Sequence, residues 1–267
     1  MAYAVAQISD LHIVAAGHRL AGVIDTAGYT SAAVGFLNRL NPQPDAVLVT
    51  GDLVDGGTLV DYEHLRELVE PLRAPLWLLP GNHDDRPALR ATFPGRAGLE
   101  GTGPVDFVID GPFRVAALDS SLAGEPGGHL DADQLAWLDA TLEAAPATPT
   151  IVALHHPPFA TGIEHMDAMA LDADSIAGLA AVIDRHPQVE RVQCGHLHRT
   201  ILHRWHGTIA ATAPSVAHAV ALDLRHDAVP AWSLEPPGLL LHHWSETTGL
   251  VTHLQPIGDY PPTPYDD

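Results

Sequence analysis

Five short segments of the sequence carry side chains of the types that bind metal ions. They are Asp10-Leu11-His12, Gly51-Asp52, Gly81-Asn82-His83-Asp84, His155-His156 and Gly195-His196-Leu197-His198. Carboxylate oxygens, amide oxygens and imidazole nitrogens together form the ligand set expected for divalent transition metals. One such segment alone carries little weight, because Asn82-His83-Asp84 could equally be the turn that caps a helix near Pro87. Five of them in order along one chain predict a metal site.

Each segment follows an apolar run with the length of a short buried strand. The runs are Tyr3–Ile8, Asp45–Thr50, Leu76–Leu79, Thr150–Leu154 and Val189–Cys194. The helical patterns lie at 26–40, after Thr58, after Asp131 and around 176–183. Alternation of strands and helices predicts an α/β fold with a largely parallel sheet, whose strands all end at one edge. The five polar segments should therefore meet at that edge.

Two of the segments alternate ligand-type side chains with a leucine. In an extended chain, the outer residues of Asp10-Leu11-His12 and of His196-Leu197-His198 would point one way, while each leucine pointed into the core. The two pairs could then hold a metal ion from opposite sides.

The rest of the chain is predicted to form further short strands, without an internal repeat or an interdomain linker. The expected strands are Val105–Ile109, Phe113–Leu118, Ile201–Trp205, Thr208–Thr212, Val216–Leu224, Leu239–Trp244 and Leu250–Leu254. We therefore expect one domain over 1–255, whose part 199–255 supplies strands of a second sheet, and an extended tail over 256–267. The segments 120–130 and 159–172, rich in Gly, Asp and Met, are expected to form loops over the site.

The composition limits the kinds of molecule that the chain is expected to bind. Of the 267 residues, 13 are Lys or Arg and 33 are Asp or Glu, so the formal net charge is −20. A chain this acidic is not expected to bind long nucleic acids or an anionic membrane. The single cysteine, Cys194, excludes an intramolecular disulfide, and free cysteines are commonly buried in the core. With no apolar leader and no long apolar run, the sequence predicts a soluble cytoplasmic protein.

The five segments resemble the signature blocks of the calcineurin-like metallophosphoesterase superfamily in type, order and approximate spacing, over residues 8 to 198. The resemblance implies a sandwich of two mixed β-sheets flanked by helices. It also implies two metal ions, with Asp52 bridging them. The first ion would be held by Asp10, His12, Asp52 and His198, and the second by Asp52, Asn82, His155 and His196. At His155-His156 the first histidine, nearer the strand end, is preferred as the ligand.

Details of these blocks favour one branch of the superfamily. Protein Ser/Thr phosphatases carry an Arg and a Glu where this chain has Gly56 and Asp84, and purple acid phosphatases carry a tyrosine ligand where it has Asp55. The surrounding sequence is similar to bacterial class III cyclic-nucleotide and glycerophosphodiester phosphodiesterases. The resemblance therefore implies hydrolysis of small phosphodiesters. The alternatives are a phosphomonoesterase of the same fold and a non-catalytic scaffold that binds partner proteins.

The chemistry expected of such a centre follows from its ligands. Two cations lower the pKa of a bridging water, so that a hydroxide nucleophile forms near neutral pH, and they neutralise the phosphoryl oxygens of an anionic substrate. Mixed nitrogen and oxygen ligands suit Fe or Mn, with Zn or Co as alternatives, better than Mg. His83 is implied to stay uncoordinated and to assist the leaving group, while Asp84 is expected to fix its tautomer.

Three further expectations concern the surroundings of the site. His218 matches in position a histidine that reaches the substrate phosphate in related glycerophosphodiesterases. For Arg86, a surface charge pair is expected rather than a phosphate contact. The region after Arg199 is expected to form a homodimer or higher homo-oligomer, as in relatives.

Overall fold

Two β-sheets lie face to face at the centre of the structure, a computed structural model that describes residues 2–265. In chain order the strands are β1 (Tyr3–Ile8), β2 (Ala46–Thr50), β3 (Leu76–Leu79), β4 (Phe107–Ile109), β5 (Arg114–Leu118), β6 (Thr150–Leu154), β7 (Val189–Cys194), β8 (Ile201–Trp205), β9 (Thr208–Thr212), β10 (Ala219–Val220), β11 (Trp232–Ser233), β12 (Gly238–Ser245) and β13 (Gly249–Pro256). The helices are α1 (Thr26–Arg39), α2 (Leu59–Val69), α3 (Arg86–Thr92), α4 (Ala132–Glu143), α5 (Glu164–Asp167) and α6 (Ala173–Ile183).

Both sheets have a parallel centre with antiparallel strands added. The first has the order β13-β12-β1-β2-β3, in which β1, β2 and β3 are parallel. The second has the order β4-β5-β6-β7-β9-β8, in which β5, β6, β7 and β9 are parallel. The expected sandwich of two mixed sheets is therefore confirmed. The five strands that precede the polar segments are split between the sheets, β1 to β3 in one and β6 and β7 in the other.

The layering follows from the alternation of side chains along the central strands. On β5, Val115 and Ala117 pack in the core between the two sheets, while Ala116 and Leu118 pack under α4 and α6. Because both faces of such a strand are covered, its sequence is apolar throughout. This explains why the apolar runs predicted the central strands well.

Local capping signals set the starts of the helices. The predicted capping boxes are both present: Thr58 with Asp61 at the start of α2, and Asp131 with Gln134 at the start of α4. Asp85 accepts a hydrogen bond from the backbone N–H of Ala88, so α3 begins at Arg86. These side chains satisfy backbone donors that the first turn of a helix leaves unpaired.

Two of the expected elements differ in the structure. The strand expected over Val216–Leu224 is wrong, since only β10 forms there, paired with β11 in a short two-stranded ribbon. Leu222 and Leu224 are more than half exposed, so the apolar alternation of this segment is not matched by a sheet that buries it. The expected loop 159–172 contains α5, next to which the Asp167 carboxylate accepts hydrogen bonds from the backbone of Thr161 and Gly162.

The end of the described chain carries no further regular element. Residues 257–265 form neither helix nor strand, and Asp266 and Asp267 of the expected tail lie outside the described residues. The boundary at 255 stays a prediction. Among residues 2–265, every helix is too short or too polar to span a lipid bilayer.

Candidate metal centre and its two cavities

The carboxyl ends of strands from both sheets meet at one group of buried polar side chains, here called the inner cluster. It consists of Asp10, His12, Asp52, Asn82, His155, His196 and His198. Asp10 and His12 follow β1, Asp52 follows β2 and Asn82 follows β3, while the histidines follow β6 and β7. The structure therefore brings together all seven residues that the family resemblance implied as ligands.

The backbone that aims these side chains is not extended, contrary to expectation. Asp10, His12, Asp52, His196 and His198 all have positive φ, between 46° and 70°. This left-handed region is unfavourable for non-glycine residues, and such strain clusters at functional sites. Leu11 and Leu197 are buried as expected, at 0% and 1% exposure. The common direction of each pair comes from tight turns at the strand ends rather than from strand alternation.

Two glycines allow the cluster to close up. A Cβ on Gly51 would lie 2.2 Å from Nδ1 of His155, and one on Gly81 would lie 2.3 Å from Oδ1 of Asp52. Any side chain at either position would displace a member of the cluster. Gly51 also has φ of +97°, which only glycine adopts readily.

The first half of the cluster joins Asp10, His12, Asp52 and His198, whose potential ligand atoms all lie within 4.8 Å of one another. Nε2 of His12 is 3.1 Å from Nε2 of His198 and 3.4 Å from Oδ2 of Asp52. Nε2 of His198 is 3.6 Å from Oδ1 of Asp10. Burial raises the pKa of Asp10 to about 6.

The second half joins Asn82, His155 and His196 to the other oxygen of Asp52. Oδ1 of Asn82 lies 3.1 Å from Nε2 of His155 and 3.1 Å from Nδ1 of His196. Nε2 of His155 lies 3.4 Å from Oδ1 of Asp52. The Asp52 carboxylate therefore stands between the halves, with one oxygen on each side.

Hydrogen bonds behind the cluster fix the tautomers of three histidines. Nδ1–H of His155 donates to the carbonyl oxygen of Thr50 at 2.8 Å, and Nδ1–H of His198 donates to that of His218 at 3.2 Å. Nδ1–H of His12 donates to the carboxylate of Asp55 at 3.1 Å. Because these oxygens can only accept, the neutral rings present the lone pair of Nε2 to the cluster, as metal-ligating histidines do.

These residues fit bound cations. Two Nε2 lone pairs, of His12 and His198, face each other at 3.1 Å, and Oδ2 of Asp10 is buried without a hydrogen-bond partner among the described residues. Ligand atoms at about 2.0–2.2 Å from one cation must themselves lie about 3 Å apart. Burial lowers the pKa of His196 to about 3. For His155, burial opposes protonation, but the charge of Asp52 prevails and raises the pKa to about 9.

His156 also lies beside His155 and His196. Its ring is already engaged on both sides, with Nδ1 2.9 Å from Oγ of Ser120 and Nε2–H donating to the carbonyl oxygen of Pro126 at 3.2 Å. Nε2 of His155 instead faces Asn82 and Asp52. The hydrogen bonding therefore favours His155 over His156 as a ligand.

His83 stands at the mouth of the cluster with 38% of its side chain exposed. Nδ1–H of His83 donates to the carbonyl oxygen of Asp55 at 2.9 Å, and the His83 backbone N–H donates to Oδ1 of Asp52 at 3.0 Å. Nε2 is therefore the ring nitrogen that faces away from this hydrogen bond. The importance of Asp55 was missed, although its spacing after Asp52 was visible in the sequence.

The expectation that Asp84 fixes the tautomer of His83 is wrong. The Asp84 carboxylate accepts hydrogen bonds from the backbone of Gly81 at 2.8 Å and Leu53 at 3.0 Å, and from the hydroxyl of Tyr62 at 2.7 Å. Burial raises the pKa of Asp84 to about 6. Asp84 therefore ties the turn after β3 to the turn after β2.

A cavity of about 360 Å³ opens from the inner cluster. Besides the cluster residues, its lining contains six large apolar side chains, here called the apolar wall: Leu20, Ile24, Met166, Met169, Val220 and Trp232. His218 lies between, with its ring centroid 4.4 Å from that of His198 and 6.4 Å from that of Trp232. The structure therefore brings His218 to the site, and Met166 and Met169 place the segment 159–172 over it as expected.

A second cavity, of about 540 Å³, is also bordered by Asn82 and His83 and carries several polar side chains in its lining, among them Arg86, Arg90, Thr102 and Ser121. The surface charge pair expected for Arg86 is wrong, because its partner Asp119 is fully buried. Nε of Arg86 donates to that carboxylate at 2.5 Å, and Nη2 donates to the carbonyl oxygen of Ser121 at 2.6 Å. Cys194 is buried in the core as expected.

Comparisons with known proteins agree with this geometry. A family model described as calcineurin-like phosphoesterase matches residues 3–200. The chain is 38% identical to the probable glycerophosphodiester phosphodiesterase GpdQ of Arcobacter nitrofigilis, over 96% of this chain and 94% of the relative. It is 31% identical to the 3',5'-cyclic adenosine monophosphate phosphodiesterase CpdA of Escherichia coli K12, over 78% of this chain and 74% of the relative.

A solved structure shares the fold. A dimetal phosphatase from Danio rerio superimposes with a TM-score of 0.63 at 15% identity, covering 96% of this chain and 99% of that one. At this level of identity the likeness shows the arrangement of sheets and helices alone.

Proposed function

The chain belongs to the calcineurin-like phosphoesterase family, and we propose that it is a dinuclear-metal phosphodiesterase that hydrolyses small phosphodiesters such as cyclic nucleotides or glycerophosphodiesters. One observation carries the proposal. The Asp52 carboxylate places one oxygen beside each of two groups of buried ligand-type atoms. A shared carboxylate of this kind is what a pair of neighbouring cations requires.

The inner cluster would hold the two cations. Asp10, His12 and His198 would complete the first site around one oxygen of Asp52. Asn82, His155 and His196 would complete the second around the other oxygen. Mixed nitrogen and oxygen donors favour Fe or Mn, with Zn or Co as alternatives. Bound there, the cations would acidify a water between them and neutralise the phosphoryl oxygens of an ester.

His83 would act on the leaving group. Its Nδ1–H is held by the carbonyl oxygen of Asp55, so Nε2 is the ring nitrogen available for proton transfer at the mouth of the cluster. A proton given from Nε2 to the departing alkoxide would stabilise the charge that develops as the ester bond breaks. The hydrogen bond from the backbone N–H of His83 to the Asp52 carboxylate fixes the backbone of His83 next to the metal site.

Within this proposal the chain forms a homodimer or higher homo-oligomer through the region after Arg199. Support comes from Leu222, Leu224 and Val229, which are all more than half exposed. Sedimentation equilibrium would measure the oligomeric state, and a monomer across micromolar concentrations would exclude this part.

The function is tested by metal content and turnover together. Purified protein is loaded with Mn²⁺ or Fe²⁺, its metal is counted by elemental analysis, and hydrolysis of bis(p-nitrophenyl) phosphate is followed. We expect two metals per chain, turnover that EDTA abolishes, and recovery on adding metal back. Two bound metals without turnover of any ester would instead favour a scaffold.

A substrate panel then narrows the reaction. It compares 3',5'-cyclic AMP, 2',3'-cyclic AMP, glycerophosphoethanolamine and a phosphomonoester under the same metal loading. We expect kcat/KM to be higher for diesters than for the monoester. A preference for the monoester would contradict the diesterase assignment while leaving the metal centre intact.

A further inference from the structure

We propose that the apolar wall is a subsite for an aromatic ring carried by the substrate ester, with Trp232 as the residue that selects it. The inference rests on the proposed phosphodiesterase function and names the chemistry of one ester group. The wall borders the same cavity as the inner cluster, so a phosphoryl group at the cluster and a ring on the wall would occupy one continuous space.

The geometry gives the path between the two. His12, His198 and His218 form a triangle of neighbouring rings, with centroids 4.9 Å apart for His12 and His198, 4.4 Å for His198 and His218, and 5.5 Å for His12 and His218. Trp232 follows at 6.4 Å from His218. A substituent on the phosphoryl group therefore passes His218 and reaches Trp232 after about the width of one further ring.

Trp232 is held in place by backbone pairing and still has a free surface. It lies opposite Val220 in the register of β10 and β11, and 46% of its surface is exposed. An indole has only two rotatable side-chain bonds, so it loses little freedom when a flat ring covers it. Stacking of a base on an aromatic side chain is a sequence-tolerant source of affinity.

The wall also contains two methionines, Met166 and Met169. Met166 is nearly buried against Ile163 and Leu197, and Met169 packs partly on the same group. Methionine side chains adapt their shape and make favourable contacts with aromatic rings. Apart from the indole N–H of Trp232, the wall residues carry no strong hydrogen-bonding side-chain group, so a polyol placed there would lose more hydrogen bonds to water than it gains.

The second cavity offers more hydrogen-bonding groups than the first. It shares Asn82 and His83 with the first but is lined by Arg86, Thr102 and Ser121. A hydrophilic ester group finds donors and acceptors there that the apolar wall lacks. The two sides of His83 thus favour different ester groups, and the aromatic one belongs on the wall.

The test compares Trp232→Ala and Trp232→Phe with the wild-type protein on two diesters. Bis(p-nitrophenyl) phosphate carries aromatic groups, and glycerophosphoethanolamine carries none. Leu234→Ala is the matched control, since it removes an exposed apolar side chain from the same segment but outside the cavity.

We expect Trp232→Ala to raise KM for the aromatic diester about tenfold, with kcat within about twofold. Trp232→Phe should recover most of this loss because it keeps a flat ring. Glycerophosphoethanolamine should show less than about a twofold change in any variant, and Leu234→Ala should behave as wild type on both esters. Metal content and the unfolding midpoint should be unchanged throughout.

Two results would overturn the subsite. One is an unchanged KM for the aromatic diester in Trp232→Ala, and the other is an equal loss on both diesters. Glycerophosphocholine is added because a quaternary ammonium can also bind an indole face. A larger loss on that ester than on the aromatic one would likewise overturn the aromatic assignment. Failure of the metal-loaded wild-type protein to hydrolyse either diester would overturn the proposed function, and with it the subsite.

Discussion

The inner cluster and the apolar wall face each other across one cavity but are built in different ways. The cluster stands on the ends of strands from both sheets, and its aspartates and histidines are at most 8% exposed. The wall comes from the turn before α1, the segment around α5 and the short ribbon of β10 and β11. Under the two proposals, the reaction takes place at the strand ends, and the ester group is selected by connecting segments.

The difference has a physical origin. A metal centre tolerates little displacement of its ligands, and strand ends supported by hydrogen bonds hold positions better than loops do. An apolar wall needs only shape and surface, which loop residues such as Met169 supply. Substitutions in the two regions should therefore separate: those in the cluster lower kcat and metal content, whereas those in the wall change KM for one class of ester.

The largest effect should come from the residue shared by both halves of the cluster. Asp52→Asn leaves one oxygen, so the two groups of ligand atoms lose their common carboxylate. We expect less than one metal per chain and a fall in kcat/KM of about 10³-fold or more for every ester. Elemental analysis and steady-state kinetics measure both.

Asp227→Asn is the control for Asp52→Asn, because it removes one negative charge from an exposed turn. It should keep two metals and wild-type kinetics. Full metal content in Asp52→Asn would contradict the proposal that the two halves of the cluster depend on a shared Asp52 carboxylate.

His83→Ala should separate leaving-group chemistry from metal binding. The ring of His83 projects from the cluster, and its loss removes a proton donor without removing a ligand. We expect two metals per chain and a fall in kcat of about 10²–10⁴-fold. The exposed His253→Ala should leave kcat unchanged, and an unchanged kcat in His83→Ala itself would refute the role of this ring.

A comparison of two leaving groups gives a second test with the same variant, His83→Ala. A p-nitrophenolate leaving group needs less help from a proton than an alkoxide does. The loss in His83→Ala should therefore be smaller for bis(p-nitrophenyl) phosphate than for glycerophosphoethanolamine. The opposite order would indicate that His83 assists the nucleophile rather than the leaving group.

A buried polar chain beneath the cluster should affect stability more than selectivity. The side-chain Nε2 group of Gln7 donates hydrogen bonds to Oγ1 of Thr50 and to the carbonyl oxygen of Cys194. The Oε1 atom of Gln7 accepts a hydrogen bond from Nε2–H of His242 at 3.1 Å. Gln7→Leu leaves a buried imidazole donor unpaired and cuts a link between the two sheets.

For Gln7→Leu we expect the free energy of unfolding to fall by about 1–3 kcal/mol, with KM ratios between esters unchanged. Urea unfolding with metal bound measures the first quantity. Gln255→Leu on β13, whose side chain bonds only the adjacent Pro256 carbonyl, should change stability by less than about 0.5 kcal/mol. A change of ester preference in Gln7→Leu would contradict the expectation that only substitutions in the apolar wall change KM for one class of ester.

The contrast also explains how much the sequence could predict. The strands that carry the cluster were predicted because both of their faces are buried, which leaves continuous apolar runs such as Thr150–Leu154. The capping boxes at Thr58 and Asp131 were predicted because their signal is local. This combination of buried strands and polar strand ends located all five segments, and the family resemblance then implied which seven of their residues form the cluster.

The rest depends on contacts between distant segments. The positive φ of Asp10 and Asp52 could not be predicted from residue type, since aspartate is usually right-handed or extended. The Asp84 carboxylate accepts from the hydroxyl of Tyr62, twenty-two positions earlier, which no local pattern indicates. Trp232 reaches the site only because β10 and β11 pair, in a segment whose apolar alternation had predicted a longer strand.

Met169→Ala should give the smallest effect and the finest test of the wall. Met169 is only partly buried, so its truncation removes contact surface without opening a core cavity, unlike truncation of the more deeply buried Met166. Losing about one methylene of contact corresponds to about a fourfold change in affinity. We therefore expect KM for bis(p-nitrophenyl) phosphate to rise about fourfold, less than in Trp232→Ala. Metal content and kcat should stay at the wild-type values.

Met169→Leu is the matched control for Met169→Ala, since it keeps the side-chain volume and should stay within about twofold of wild type. If Met169→Ala raised KM equally for glycerophosphoethanolamine, the wall would act on both esters alike. Its influence would then run through the adjoining Leu197, which lies between the cluster residues His196 and His198. A KM change restricted to the aromatic ester, with metal binding intact, is the result that keeps reaction and selection on separate parts of the fold.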